Sequence, residues 1–124
     1  ALDGVVQAAV DQMVVLGAAP GRMVAAIGPC IAPDSYEVGL EFYDRFRAEA
    51  ADVDRFFRTG ATSDKRQFDL PGFVLRRLSE AGVTRAEWIG RDTCAEADMF
   101  FSNRRAFKRG ETDYGRLLSA IMLV

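Results

Sequence analysis

Apolar positions recur along the chain in patterns that predict a layered domain of helices and strands. From residue 2 to residue 16 they fall mostly at three- and four-residue steps, which is typical of an amphipathic helix, and Gly17 is placed to end it. The unbroken apolar run of residues 23–27 then predicts a buried strand. Because Pro29 has no N–H and restricts Gly28, we expect this strand and its ladder to stop at that point.

The middle of the chain mixes a second helical pattern with an irregular stretch. A capping-box pattern that begins at Asp34 predicts a helix start, and the apolar stripe of that helix follows at four-residue steps. Residues 49–66 are polar and irregular, and residues 59–65 form a predicted surface loop. Within this stretch, Phe56 and Phe57 are expected to reach the core from a short helix. The predicted stripe consists of Val38, Phe42 and Phe46.

Pro71 marks the start of a third helix, because proline is favoured at a first helical position. Asp69 or Leu70 then occupies the cap, and Gly82 ends the helix. Residues 85–90 predict a short strand, residues 95–101 one or two helical turns, and the apolar run 117–124 a last strand. This order predicts an α/β or α+β domain, in which helices flank a mixed β-sheet.

Composition and charge exclude several classes of protein. The 124 residues carry a net charge of −2 and suit one domain, so no general attraction to nucleic acid or to an anionic membrane surface is expected. No apolar run is long enough to cross a membrane, and no signal peptide is visible. The two cysteines suggest neither a metal motif nor a disulfide framework, which favours a reducing cytoplasm. The chain has no histidine, the commonest general base and zinc ligand.

Candidate chemistry is concentrated in a basic stretch near residue 104. Arg104 and Arg105 follow Ser102, and two guanidinium groups side by side could bind phosphate or a carboxylate. A solvated basic loop explains the same residues equally simply. Cys30 lies at a strand end, where α/β sheets often keep their sites, although a small buried hydrophobic residue is the alternative. A helix cap explains Asp69 without any catalytic role.

Several stretches in this order resemble the YfiH-like family, also called laccase-domain or multicopper polyphenol oxidase-like proteins and now regarded as purine nucleoside phosphorylases. The match is collinear over nearly the whole chain, which makes the combined motifs more specific than any one of them. The stretches are Ala26-Ile27-Gly28-Pro29-Cys30-Ile31 with Ser35-Tyr36-Glu37-Val38-Gly39, Phe68-Asp69-Leu70-Pro71, Phe100-Phe101-Ser102-Asn103-Arg104-Arg105, and Asp113-Tyr114-Gly115-Arg116 with Ser119-Ala120-Ile121.

The resemblance implies a cytoplasmic zinc enzyme that cleaves adenosine, inosine or guanosine with phosphate and can deaminate adenosine. Its zinc would be held by two histidines and a cysteine that lie upstream of the matched region, so Cys30 is not the ligand cysteine. Residues 1–124 would then be the C-terminal part of a single domain that is incomplete without an upstream half. We therefore expect the chain alone to be inactive.

The resemblance also suggests roles for individual residues. Ser102, Arg104 and Arg105 would face the substrate or phosphate, while Cys30 and Asp69 would support the pocket. Asn103 departs from the family pattern, which has an aromatic residue or histidine there, so stacking on a base would be lost at that position. Two other functions stay open: a copper-dependent polyphenol oxidase, which needs several histidine ligands, and a non-enzymatic module that binds an anion or an acidic partner.

Overall fold

The strands form two small sheets, one parallel and one antiparallel. In the computed structural model, which describes all 124 residues, β1 (Val24–Ile27) pairs in parallel with β5 (Arg85–Trp88). The other sheet has the order β2 (Glu37–Gly39), β4 (Lys65–Phe68), β3 (Phe57–Thr59), with antiparallel neighbours. In the first sheet Val24 stands opposite Arg85 and Ile27 opposite Trp88, so the carboxyl ends of both strands lie at one edge.

Four α-helices flank these sheets and confirm the predicted α/β class with flanking helices. They are α1 (Val5–Val15), α2 (Leu40–Glu49), α3 (Leu70–Glu80) and α4 (Asn103–Lys108), and short 3₁₀ helices span Pro20–Arg22, Pro33–Ser35 and Val53–Phe56. Gly17 lies just beyond α1 with φ of 98°, a left-handed conformation that glycine adopts without strain. Asp69 is the N-cap of α3 and accepts a hydrogen bond from Gly72 N at 3.0 Å.

The larger core is built mainly from aromatic rings. Phe68 on β4 is 1% exposed and lies between Phe46 of α2 and Phe57 of β3, with ring centroids 4.8 Å away in both cases. Phe73 at the start of α3 closes the cluster from the other side. Tyr36 packs its ring edge against Phe68, so this core directly supports a residue that lines the pocket described below.

A second, smaller core lies under the parallel sheet. Val10 of α1, Met23 before β1 and Val83 before β5 are buried together there, and Leu78 of α3 packs against them. Only 12 of the 124 residues are buried, so much of the apolar side-chain surface is open to solvent.

The predicted helix start at Asp34 is wrong. Residues Pro33–Ser35 form a 3₁₀ turn, the chain then extends through β2, and α2 begins only at Leu40. Val38 and Phe46 do share the core, but they reach it from a strand and from a helix, respectively. Four-residue spacing cannot distinguish these arrangements, since an inward-facing strand residue before a helix has the same spacing.

Residues 49–66, predicted to be irregular because they are mostly polar, include the first strand and the turn of a β-hairpin. The short helix expected around Phe56 is present, but Phe57 begins β3, and β4 starts at Lys65. At the turn Gly60 N donates to Lys65 O at 3.0 Å, and a Cβ atom on Gly60 would lie 2.7 Å from the Lys65 backbone. The tight hairpin therefore requires glycine at position 60.

Of the two other expectations for the second half, one agrees with the structure and one does not. Residues 95–101 were predicted to form one or two helical turns, and Met99 N and Phe100 N both donate to Glu96 O, which closes one turn that does not continue as a helix. The run 117–124 is not a strand, because no neighbouring strand in the chain pairs with it. None of the helices has the length and apolar character needed to cross a membrane.

Candidate functional site

A pocket of about 410 Å³ opens beyond the carboxyl ends of β1 and β5; we call it the strand-end pocket. In α/β sheets this edge is where ligands commonly bind, because the loops that leave parallel strands converge there. No acidic side chain lines it. Its lining residues are Pro29, Cys30, Ile31, Tyr36, Thr93, Phe101, Ser102, Asn103, Arg104, Tyr114, Gly115, Arg116 and Leu117.

Cys30 lies at the floor of the strand-end pocket, on a short continuation of the parallel ladder. The strand ends at Ile27 as expected, but pairing resumes when Cys30 N donates to Arg91 O and Thr93 N donates to Cys30 O. An isolated parallel bridge thus joins Cys30 to Asp92, and this corrects the expectation that the ladder ends at Pro29. Burial, followed by the negative charges of Asp92 and Asp69, raises the pKa of the Cys30 thiol to about 11.

The raised pKa predicts that Cys30 reacts slowly with alkylating reagents at neutral pH, because the thiolate is the nucleophile. The rate at Cys30, measured with iodoacetamide and peptide mass spectrometry, should keep rising as pH increases toward about 11. In a Cys30→Ser variant only Cys94 can be alkylated, so this variant gives the rate at Cys94 by itself. A rate at Cys30 that already levels off by about pH 9, near the ordinary thiol pKa, would contradict this environment.

Asp92 links two segments next to the strand-end pocket through hydrogen bonds. Its carboxylate accepts hydrogen bonds from Ser35 Oγ at 2.5 Å and from Cys94 N at 2.9 Å. Burial opposes ionisation of Asp92, but the hydrogen bonds from Ser35 and from nearby backbone N–H groups outweigh it and lower its pKa. The carboxylate is therefore a fixed negative group that orders the loops under the pocket.

Arg104 faces the strand-end pocket from α4. Its Nη1 donates to the backbone oxygen of Glu37 at 2.6 Å, and its guanidinium lies 5.2 Å from the ring centroid of Tyr36. These contacts fix the side chain on the pocket wall, while Nε and Nη2 make no other hydrogen bond within the chain. The unused donors are available to an anionic ligand.

Arg105 lies behind the pocket wall and not on it. Its guanidinium donates to three backbone oxygens of one loop: Thr93 O at 2.7 Å, Cys94 O at 3.1 Å and Phe100 O at 2.5 Å. This arrangement satisfies backbone acceptors that have no partner in a helix or strand. The two adjacent arginines therefore differ in role: Arg104 extends to the pocket, and Arg105 extends into the loop and binds its backbone.

The C-terminal segment supplies a second arginine that sequence reasoning missed as a site residue. Arg116 lines the strand-end pocket with its guanidinium 4.6 Å from the ring centroid of Tyr114, and its Nη1 donates to Tyr114 O. The ring of Phe101 lies directly on Gly115, where any side chain would clash with it. The position of Arg116 in the pocket depends on this tertiary packing. In the sequence, only the resemblance at residues 113–116 could have indicated it.

Ser102 and Asn103 complete the polar lining next to Arg104. Ser102 is the N-cap of α4, where its Oγ accepts from Arg105 N at 3.2 Å and keeps its own hydrogen free to donate. Asn103 reaches the pocket at the position where the resemblance led us to expect an aromatic ring. The aromatic surfaces come instead from Tyr36, Phe101 and Tyr114.

Asp69 lies outside the strand-end pocket. It caps α3 and lines a separate cavity of about 470 Å³ together with Asp34, Arg58 and Trp88. Arg58 in that cavity is already paired with Asp34 at 2.7 Å. Asp69 influences the pocket only through its charge, which contributes to the raised pKa of Cys30.

The residues of the chain do not fit the metals that the resemblance implies. No group of three or more histidine, cysteine, aspartate or glutamate side chains is placed to hold a metal ion. Structural and catalytic zinc sites need at least three protein ligands, and copper oxidases need several histidines. Any zinc or copper would therefore require ligands from outside these 124 residues.

Comparisons with known proteins agree on one family. The model described as multi-copper polyphenol oxidoreductase laccase matches residues 1–124. A purine nucleoside phosphorylase of Deinococcus radiodurans is 39% identical over 117 residues, covering 94% of this chain and 42% of the relative. Another, of Rickettsia conorii, is 36% identical over 102 residues, covering 82% of this chain and 42% of the relative.

A solved structure supports the fold. The crystal structure of the hypothetical protein YfiH of Bacillus licheniformis aligns with a TM-score of 0.75 and 28% identity, covering 90% of this chain and 42% of that chain. The chain thus spans half or less of the length of the relatives and of the solved structure it matches. Because the family model matches its entire length, the chain belongs to the family described as multi-copper polyphenol oxidoreductase laccase, and it is similar to proteins named YfiH.

Proposed function

We propose that the strand-end pocket binds phosphate and a purine nucleoside in a phosphorylase of which this chain forms the C-terminal part. The observation that carries the proposal is the pair of arginines, Arg104 and Arg116, each held over a tyrosine ring at the wall of one pocket. The names of the relatives support the same reaction, since several are called purine nucleoside phosphorylase.

The charge of the strand-end pocket favours an anionic ligand. Two guanidinium groups line it: Arg104 keeps donors that no protein group uses, and Arg116 forms only a long, exposed pair with Asp113, at 3.5 Å. Guanidinium groups bind phosphate with two parallel hydrogen bonds, which fixes both its position and its orientation. Ser102, with a hydroxyl hydrogen free to donate, is placed to add a third bond.

The shape and the aromatic lining favour a nucleoside as the second ligand. A volume of about 410 Å³ lies within the range of small-molecule sites. Tyr36, Phe101 and Tyr114 offer ring surfaces on which a purine can stack, and the Asn103 amide can both donate to and accept from the edge of a base. A purine stacked on one of these rings would replace the contact that asparagine at position 103 does not offer.

In phosphorolysis a phosphate oxygen attacks the anomeric carbon of the ribose, and the bond from that carbon to the purine nitrogen breaks. The base leaves with that electron pair and takes up a proton, while the sugar becomes a ribose 1-phosphate. Positive charge builds up on the sugar in the transition state, so the phosphate must be held close to it in a fixed orientation. Arg104 and Arg116 would hold it there, with Arg105 as a positioning residue and Cys30 as support for the floor, while Asp69, which lies outside the pocket, would act only as the cap of α3.

No step described above for this chain's residues requires a metal ion. Zinc, if bound, would be held by ligands outside the 124 residues and would activate a water or the substrate. The proposal includes adenosine deamination as a second activity of the longer protein, and a cytoplasmic location, for which the two free cysteines are the support.

Two alternatives keep a specific observation in their favour. The description of the family names a multi-copper polyphenol oxidoreductase, which would oxidise phenols. Several histidine ligands for copper would then have to come from elsewhere, since this chain has none.

The basic α4 would also suit a non-enzymatic module that binds an acidic partner. In that case Arg104→Ala would leave nucleoside turnover by the longer protein intact.

Replacing Arg104 by alanine should weaken phosphate binding by the 124-residue chain about 10- to 100-fold, the effect of one or two charge-assisted hydrogen bonds. Isothermal titration with inorganic phosphate measures this change. Arg109→Ala is the matched control, because Arg109 lies at the end of the same helix, is exposed and does not line the pocket. Equal affinities for the two variants would count against the phosphate site.

The isolated chain should show no zinc-dependent nucleoside turnover, because it supplies no metal-ligating cluster. Elemental analysis of the purified chain and chromatographic detection of free purine from adenosine or inosine test this directly. Stoichiometric zinc together with turnover would contradict the proposal that the ligands lie elsewhere.

A further inference from the structure

Thr93 is the one polar residue among the buried residues of the chain, and it lines the strand-end pocket. It is 9% exposed, and its Oγ1 atom makes no hydrogen bond within the chain, although protein atoms do not enclose it fully. A buried hydroxyl normally has a partner, because burying it unpaired costs free energy. The free hydroxyl of Thr93 therefore marks a place where a ligand can supply the missing partner.

The backbone of Thr93 is held on both sides, which gives its side chain a fixed position. Its N–H donates to Cys30 O at 3.0 Å, and its carbonyl oxygen accepts from Arg105 Nη1 at 2.7 Å. Arg105 also fixes the other aliphatic hydroxyl of the pocket, since Arg105 N donates to Ser102 Oγ at 3.2 Å. Because a β-branched side chain has few rotamers, the Thr93 hydroxyl is well oriented before any ligand binds.

The charges around the strand-end pocket favour different groups on its walls and on its floor. Arg104 and Arg116 lie on the walls, whereas the charges that act at Cys30 on the floor are negative. One of them belongs to Asp92, the neighbour of Thr93 in the chain. Phosphate is thus favoured at the arginines, and a neutral group that both donates and accepts hydrogen bonds is favoured next to Thr93.

The sugar is the part of a nucleoside that fits this place. The purine would stack on the aromatic rings of the pocket, and the phosphate would bind the two arginines. The ribose lies between them in the reaction, because phosphate attacks the anomeric carbon that carries the base. Each of its hydroxyl groups can donate and accept a hydrogen bond, as the threonine hydroxyl can.

We infer that the Thr93 hydroxyl binds a hydroxyl group of the ribose and so makes the strand-end pocket selective for ribonucleosides over analogues that lack this group. The inference rests on the proposed function, because it places the sugar relative to phosphate and base. A site built around a hydrogen bond discriminates against a ligand that cannot form it, since the protein group is then left unpaired. Thr93 lies outside the stretches that carry the family resemblance, so those motifs do not indicate this role.

The test compares the affinities of inosine and of its dideoxy analogue, which lacks both vicinal hydroxyl groups of the ribose, by isothermal titration of the parent chain, Thr93→Val and Thr93→Ser. Valine has the shape of threonine without the hydroxyl, and serine keeps the hydroxyl without the methyl group. Thr84→Val is the matched control, because Thr84 is exposed just before β5 and does not line the pocket. Inorganic phosphate is titrated in parallel, and circular dichroism verifies that each variant keeps the fold of the parent.

We expect the parent to bind inosine about 10-fold more tightly than the dideoxy analogue, and Thr93→Val to lose this preference, which is the effect of one hydrogen bond in a buried site. Thr93→Ser and Thr84→Val should keep the preference, and the phosphate affinity should stay the same in every variant. If the parent shows no preference, if Thr93→Val keeps it, if Thr93→Ser loses it, or if Thr93→Val binds phosphate more weakly, the inference is overturned while the proposed function stands. A parent chain that binds neither inosine nor phosphate would overturn the proposed function and this inference with it.

Discussion

Replacing Phe68 by alanine is expected to destabilise the chain by about 3–5 kcal/mol, the usual cost of removing a buried phenylalanine side chain. Phe68 is 1% exposed and is surrounded by other rings, with Phe46 and Phe57 both at 4.8 Å between centroids. Because native domains have only about 5–15 kcal/mol of stability, this change removes a large share of it. Urea unfolding followed by circular dichroism gives the difference in free energy of unfolding.

The same variant should also disturb the strand-end pocket. Tyr36 rests on Phe68 with its centroid 5.6 Å away, and the guanidinium of Arg104 lies over the Tyr36 ring. Phe107→Ala is the control, because Phe107 is exposed and its loss should cost less than about 0.5 kcal/mol. A loss below about 1 kcal/mol for Phe68→Ala would show that the aromatic cluster is not the main core.

Replacing Arg105 by alanine should cost about 2–3 kcal/mol and abolish phosphate binding at the strand-end pocket. Three backbone oxygens of the loop from Thr93 to Phe100 lose their common donor, and hydrogen bonds to a charged group are among the stronger ones. The loop that carries Thr93 and Phe101 to the pocket would then lose its fixed shape. Thermal unfolding and phosphate titration measure the two effects separately.

Arg105→Lys separates a positioning role from simple charge. Lysine keeps the positive charge, but its single ammonium group cannot reach all three oxygens in the planar geometry of a guanidinium. We therefore expect Arg105→Lys to bind phosphate almost as poorly as Arg105→Ala. If Arg105→Lys instead binds phosphate like the parent chain, then Arg105 acts through its charge at the ligand and not through the loop.

Elements with a long or strongly marked pattern were predictable. Helices α1 and α3 carry apolar stripes and clear end signals at Gly17, Asp69 and Pro71, and strand β1 is an apolar run closed by Gly28-Pro29. The hairpin of β3 and β4 was missed because its strands are three and four residues long and consist mainly of charged or polar residues. Their pairing depends on the Gly60 turn and on two residues that pack into the core, Phe57 and Phe68, and only the tertiary structure reveals that packing.

The last apolar run illustrates the opposite error. Residues 117–124 have the composition of a buried strand, yet Leu118 and Leu123 are almost fully exposed. A strand requires a partner for its N–H and C=O groups, and no neighbour within the chain supplies one. Composition alone therefore predicted the wrong structure for this segment.

The candidate site was predictable in part. Cys30, Ser102 and Arg104 do come together at the strand-end pocket, because the turn after β1 and the start of α4 meet at the same edge of the sheet. Arg105 and Arg104 differ in the direction in which their side chains extend from α4. The amino-acid sequence does not reveal this direction.

The proposed binding mode places phosphate and a purine nucleoside between Arg104 and Arg116. The most direct measurement is the ¹H–¹⁵N spectrum of the arginine Nε–H groups of this chain while inorganic phosphate, and then inosine, is added. We expect the Arg104 and Arg116 signals to shift with phosphate and those of Arg58 and Arg109 to stay unchanged. Shifts confined to Arg58, in the separate cavity beside Asp69, or no shift at any arginine, would contradict it.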